Sequence, residues 1–223
     1  MKIGTDSVLT GVMTVVNDAV KTILDIGTGT GLLALMLAQK STAYIDAVEI
    51  DEEAFKQASE NFSLSKWSNR LNAHFCSLQM FKKGEQFAYD LIISNPPYFR
   101  FKKNILISDK QRSNARHDKE LSFEDLAYQV KRLLKPDGNF WVILPVQEAV
   151  EFIKIASNEM LFVSNQILVQ AKPGKLPNRI IMCFTGIETP VKQNYFCILN
   201  EEGKPSTAYY EATKDYLLWL NFN

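Results

Sequence analysis

The chain has 223 residues, of which 46% are hydrophobic and 22% charged. These are globular proportions that exclude disorder and fibrous repeats and suit one sizeable domain. Lysine plus arginine and aspartate plus glutamate number 25 each, which excludes bulk attraction to nucleic acid and requires any such partner to be met by a local basic patch.

Met1-Lys2-Ile3-Gly4-Thr5-Asp6 lacks a signal-peptide core, which predicts a cytoplasmic protein. Residues 6–20 carry an apolar stripe (Val8, Leu9, Val12, Val15, Val16, Ala19), read as a helix with Asp6 as N-cap. Ile23 to Ile26 reads as a buried strand and Gly31 to Gln39 as a helix. That helix holds the longest apolar run, Leu32 to Ala38, too short to span a bilayer. Tyr44 to Glu49 is the next strand, and Asp51 caps the helix after it. Strands at Leu71 to Cys76 and Tyr89 to Ser94 follow.

A polar, basic stretch, residues 99–119, leads to a helix from Phe123 to Leu134, a turn at Lys135-Pro136-Asp137-Gly138 and an apolar strand from Phe140 to Leu144. A helix over 147–158, strands near 162–171 and 179–186, a short strand at 196–199 and a helix over 207–220 complete the chain. Alternation of this kind predicts an α/β fold: a mostly parallel, seven-stranded sheet with helices on both faces and a terminal antiparallel hairpin. No Pro- or Gly-rich linker divides residues 1–223, which predicts a single domain. Cys76, Cys183 and Cys197 are odd in number and far apart, and His74 and His117 are the only histidines. Free thiols and no metal site are expected.

Asp25-Ile26-Gly27-Thr28-Gly29-Thr30-Gly31 lies where the first strand gives way to a helix. Small residues there let a ligand approach the backbone, and the helix N-terminus offers free N–H groups. Dinucleotide folds space their glycines G-x-G-x-x-G; here the third glycine comes one residue earlier and Asp25 precedes the turn. A carboxylate repels phosphate but holds an ammonium group, directly or through water, which favours a nucleoside with an amino-acid tail. Glu49, at the end of the next strand, suits ribose hydroxyls.

The turn resembles the first motif, D-x-G-x-G-x-G, of the class I S-adenosylmethionine-dependent methyltransferases, whose fold is Rossmann-like. The resemblance implies that the methionine moiety lies over Gly27 and Gly29, with Asp25 and Gly31 completing the turn. It places the ribose on Glu49 and the adenine beyond the third strand, among Ile50, Ser77 and Leu78. Many relatives have an aspartate near Ser77 that accepts from the adenine amine; here the Ser77 hydroxyl and the Leu78 N–H are left to serve.

Ser94-Asn95-Pro96-Pro97-Tyr98 directly follows the apolar strand Leu91-Ile92-Ile93. Two prolines fix the backbone and remove two N–H donors. The Asn95 oxygen and the Pro96 carbonyl can then converge on an amine with two N–H bonds, while Tyr98 offers a face for a planar ring to stack on. An aromatic amine is a poor nucleophile because its lone pair is delocalised. Two aligned acceptors favour a more tetrahedral nitrogen and set the line of attack on a methyl sulfonium.

In the methyltransferases N-P-P-Y marks enzymes acting on planar amines. Lys2 to Asp6, Leu24 to Gly27, Gly31 to Gln39, Ile45 to Glu49 and Asp90 to Tyr98 together resemble the bacterial tRNA adenine-N6 methyltransferase family, which modifies the adenine 3′ to the anticodon of a valine tRNA. Ala115-Arg116-His117, Leu176-Pro177-Asn178-Arg179 and the tail containing Tyr209 fit the same family. The resemblance implies S-adenosylmethionine as cofactor, Thr5 and Asp6 beside it, and tRNA as partner with neither metal nor membrane; a monomer is assumed. Family members carry a further segment before the Gly4-Thr5-Asp6 element, whereas this chain begins at Met1 directly upon it.

Between Phe99 and Lys119 stand Arg100, Lys102, Lys103, Lys110, Arg112, Arg116 and Lys119 against Asp109 and Asp118, a local balance of +5. Phosphate contact by Arg100, Lys102, Lys103, Arg112 and Arg116 is the functional expectation. Lys172, Lys175 and Arg179 form a second patch if the late hairpin lies on the same side. Other planar amines (DNA adenine, rRNA guanine N2, protein glutamine) remain alternatives, as does a non-catalytic RNA-binding relative. A dehydrogenase is disfavoured by the glycine spacing.

Overall fold

The structure is a computed structural model that describes residues 4–96 and 121–218. Eight strands form one sheet in the order β3-β2-β1-β4-β5-β7-β6-β8. They are β1 (Thr22–Ile26), β2 (Tyr44–Glu49), β3 (Leu71–Phe75), β4 (Tyr89–Ser94), β5 (Leu134–Pro145), β6 (Phe162–Gln170), β7 (Arg179–Thr185) and β8 (Lys192–Cys197). The first five run parallel, and β7 alone is reversed, antiparallel to both β5 and β6.

Among the described residues six α-helices flank the sheet: α1 (Thr5–Met13), α2 (Leu32–Lys40), α3 (Glu52–Leu64), α4 (Phe123–Leu133), α5 (Val146–Asn158) and α6 (Thr207–Thr213). Successive residues of the inner strands are buried on opposite faces. Leu24, Ile26 and Ile92 meet Leu126 and Val130 of α4 and Phe152 of α5. Ile23, Leu91 and Ile93 meet Leu9 of α1, Leu37 of α2 and Phe62 of α3. A strand covered on both faces carries apolar side chains at nearly every position, which is why these strands were legible as short apolar runs. Among the described residues no helix is long and apolar enough to cross a membrane.

Four expectations need correction. The sheet has eight strands, not seven: β8 runs parallel to β6 at the edge. Its start, Lys192-Gln193-Asn194-Tyr195, is polar and exposed, and backbone pairing at an edge needs no apolar face. The first helix ends at Met13 rather than near residue 20. Beyond it Thr14, Val15 and Val16 are β-branched, and the Lys40 ammonium takes the exit carbonyls of Gly11 and Thr14. The cap of that helix is Gly4, not Asp6, which lies in the first turn and pairs its carboxylate with Arg179 at 2.9 Å.

Residues 135–138 are not a turn ahead of a strand but a bulge within β5: Tyr89 pairs with Leu134 and Leu91 with Asn139. Asp51 caps α3 as expected, accepting from the Ala54 N–H.

Candidate active site

Strand order reverses between β1 and β4, which lie side by side with Ile26 opposite Ser94. The glycine turn after β1 and the Asn95 segment after β4 therefore leave the sheet together, at the switch point where open α/β sheets bind ligands. The fully buried Ser94 hydroxyl donates to the Ile26 carbonyl at 2.9 Å and pins the two exits to each other.

The turn is built from within. The N–H groups of Gly27 and Thr28 donate to the Val48 carbonyl. Gly27 has φ +67°, is exposed, and a Cβ placed on it would meet nothing within 4 Å among the described residues. Its freedom serves the turn, and those residues leave the space over it open. Gly31 differs: at φ +83° its Cβ would sit 2.5 Å from the Phe62 ring, so this glycine admits α3 rather than a ligand.

Asp25 lies under the turn, with no exposure. Its Oδ2 accepts the Thr28 hydroxyl at 2.5 Å and the Ala34 N–H at 3.2 Å, joining the turn to α2. Its Oδ1 has no hydrogen-bond partner among the described residues. Burial pushes the carboxyl up to about 7, opposed by the bonds from Thr28 and Ala34 and reinforced by the charge of Glu49. Glu49 is nearly buried, at 9% exposure. Its Oε1 accepts the N–H groups of Ile50 and Asp51, and its Oε2 accepts that of Gly29 at 2.8 Å. Three of its four in-plane acceptor positions are thus used, leaving one on Oε2.

Ile50 is 42% exposed at the same edge. The Cys76 N–H donates to the Glu49 carbonyl and ties the β3 exit beside it. There the Ser77 carbonyl accepts from Met80 and Phe81, and the Leu78 side chain is buried in the core. Thr5 is exposed at the start of α1. One turn of that helix reaches the Asn95 segment: the Asn95 amide nitrogen donates to Ser7 Oγ at 2.7 Å. Pro96 is buried.

The sequence reading missed Ser7 and Thr28; the only local signals were their positions, directly after Gly4-Thr5-Asp6 and inside the glycine turn. Pro97, Tyr98, Arg100, Lys102, Lys103, Arg112 and Arg116 lie outside the described residues.

The late hairpin is on the same side. Pro145, at the end of β5, faces Arg179, at the start of β7, so residues 171–178 project from the catalytic edge. Lys172 and Lys175 are exposed there beside Leu176, which is 89% exposed. Arg179 is turned instead to Asp6. Glu201 and Glu202, after β8, leave the sheet at this edge too.

The family model of the methyltransferase small domain matches residues 3–155. A tRNA1(Val) (adenine(37)-N6)-methyltransferase of Bacteroides fragilis is 41% identical over 219 residues, covering 98% of this chain and 91% of that protein. The chain belongs to the tRNA1(Val) (adenine(37)-N6)-methyltransferase family. Its architecture recurs in a predicted O-methyltransferase from Agrobacterium tumefaciens, 15% identical, with a TM-score of 0.73 over 96% of this chain and 98% of that one. A TehB-like SAM-dependent methyltransferase from Corynebacterium glutamicum matches at a TM-score of 0.54 and 16% identity, covering 81% and 86%.

The site fits the family's cofactor. The space over Gly27 admits a chain lying on the turn, and the remaining Oε2 position of Glu49 suits a ribose hydroxyl. Ile50 offers an apolar edge to a base. With the turn as it stands, Glu49 has one acceptor position for a hydroxyl, and a second would require the Gly29 N–H to let go.

Proposed function

We propose that this protein transfers a methyl group from S-adenosylmethionine to the exocyclic N6 amine of an adenine in tRNA, the adenine 3′ to the anticodon of a valine tRNA. The observation that carries the reading is the placement of Asn95: directly after β4, one strand from the glycine turn, with its carboxamide held by Ser7. The cofactor supplies an electrophilic methyl group on a sulfonium. Gly27 and Gly29 seat its amino-acid portion, Glu49 its ribose, and Ile50, Ser77 and Leu78 its base.

On the substrate side, the Asn95 oxygen and the Pro96 carbonyl accept the two N–H bonds of the amine. They draw the nitrogen lone pair out of the ring and aim it at the methyl group. Tyr98 stacks on the base. No strong general base is needed, because the proton leaves late to a neighbour or to water. Adenine N6 is engaged in a duplex, whereas an anticodon loop offers an unpaired purine without the cost of flipping. Arg100, Lys102, Lys103, Arg112 and Arg116 take the RNA backbone, and Lys172 and Lys175 add to them from the late hairpin. Such a protein works in the cytoplasm.

The deciding experiment is mass spectrometry of nucleosides from tRNA incubated with the protein and cofactor, alongside tritiated methyl transfer into RNA, DNA and protein pools. N6-methyladenosine in valine tRNA is expected; label confined to DNA or protein rejects the assignment.

A further inference from the structure

We infer that Ser7 is the positioning residue of the Asn95 carboxamide, holding its NH2 end so that its oxygen faces the substrate amine. The inference rests on the function proposed above. The final torsion of an asparagine side chain is broad and nearly two-fold, so fixing the backbone at residue 95 does not fix which end of the amide faces the substrate. An NH2 facing an NH2 would oppose two donors and forfeit the acceptor. Ser7 Oγ lies 2.7 Å from Asn95 Nδ2, although the two residues are 88 apart in sequence. It holds the amide by its donor end.

The support is itself rigid. In the same helical turn, the Asp6 carboxylate binds Arg179 at the start of β7, at 2.9 Å. At the far end of α1, the Lys40 ammonium from α2 takes the carbonyls of Gly11 and Thr14. Between them, Gly11 packs so closely on Met36 that a Cβ would stand 2.6 Å from its sulfur. Thus α1 is tied at both ends and seated against α2, and Ser7 is held where Asn95 needs it. On the other side, Ser94 binds β1. The acceptor is braced from two directions.

The test compares Ser7→Ala and Ser7→Thr with the unaltered protein. Loss of one net hydrogen bond predicts a kcat about tenfold lower in Ser7→Ala. The KM for tRNA and the Kd for S-adenosylmethionine should stay within about twofold, because Asn95 is the partner of the Ser7 side chain among the described residues. Ser7→Thr, which keeps the hydroxyl, should restore kcat. A second readout is independent of turnover. The Asn95 side-chain NH2 resonances, assigned by their loss in Asn95→Asp, should exchange with solvent faster in Ser7→Ala.

Unchanged kcat, a parallel fall of kcat and cofactor affinity, or unchanged NH2 exchange would overturn the inference. If the unaltered protein makes no N6-methyladenosine while Ser7 protects the Asn95 NH2, the proposed function fails and the bracing stands. If the unaltered protein and Ser7→Ala methylate tRNA equally well, the bracing fails and the function stands.

Discussion

Glu49 Oε2 accepts the Gly29 N–H at 2.8 Å, so the acid that ends β2 and the glycine turn that follows β1 are a single unit. The carboxylate shapes the turn and, in the function proposed above, keeps one Oε2 position for the ribose. Glu49→Gln leaves one oxygen for three N–H donors and turns an NH2 on the remainder. Charge-assisted bonds are worth about 1.5–3 kcal/mol, so the Kd for S-adenosylmethionine should rise at least about tenfold by calorimetry. An unchanged Kd would take Glu49 out of the cofactor site.

Removing the proposed acceptor should separate binding from chemistry. Asn95→Ala is expected to lower kcat by at least about a hundredfold, as loss of a transition-state hydrogen-bonding group does, with cofactor affinity within about threefold. Turnover near that of the unaltered protein would end the proposed role of the segment after β4.

Asp25 should make stability fall with rising pH. Burial pushes its carboxyl from the ordinary 3.8 up to about 7, so the folded protein keeps a proton that the unfolded chain releases. That contribution is complete below about pH 4 and is lost as pH rises through about 7. Asp25→Asn, which cannot ionise, should remove this slope. Urea midpoints of the two proteins should therefore converge at low pH and separate toward pH 8, with the variant the more stable. A constant difference across that range would contradict the assignment.

Two glycines of the turn should respond differently. Gly31→Ala combines a left-handed backbone with overlap on Phe62 and should cost about 2–4 kcal/mol in urea unfolding. Gly27→Ala meets no atom of the described residues within 4 Å, so it should cost the backbone strain, about 1–2 kcal/mol. It should instead weaken cofactor binding, because the methyl group enters the open space. Gly27→Ala binding the cofactor at full strength would show that the ligand lies elsewhere.

Lys172 and Lys175 project from the edge that carries Asn95. Their joint replacement by glutamate should weaken tRNA binding and reduce the slope of log K against log salt by about 0.7 for each phosphate no longer neutralised. Cofactor affinity should be unaltered. An unchanged slope would move the RNA path away from this hairpin.

The residues proposed to reach substrate and cofactor were visible as sequence because their requirements are local. Gly27 needs a left-handed backbone, Glu49 must end a strand, and Asn95-Pro96-Pro97 must form a rigid run of acceptors. Each is written in a few consecutive residues. The central strands were equally readable, being apolar on both faces. Polar β8 was read only in part, because an edge strand is held by its partner's backbone.

Sequence alone and the folded chain decided different things. Composition and periodicity predicted an α/β chain, motif spacing pointed to a nucleoside site and an amine-directed acceptor, and the resemblance of those motifs added the methyltransferase family. Only the tertiary structure assigned Gly31 to Phe62, Asp6 to Arg179 and Ser7 to Asn95, the last two pairs being 173 and 88 residues apart. Local patterns record what a residue's own backbone requires. Partners so distant are chosen by the order of the strands, where β1 lies beside β4 and β7 turns back beside β5, and no short run of sequence carries that order.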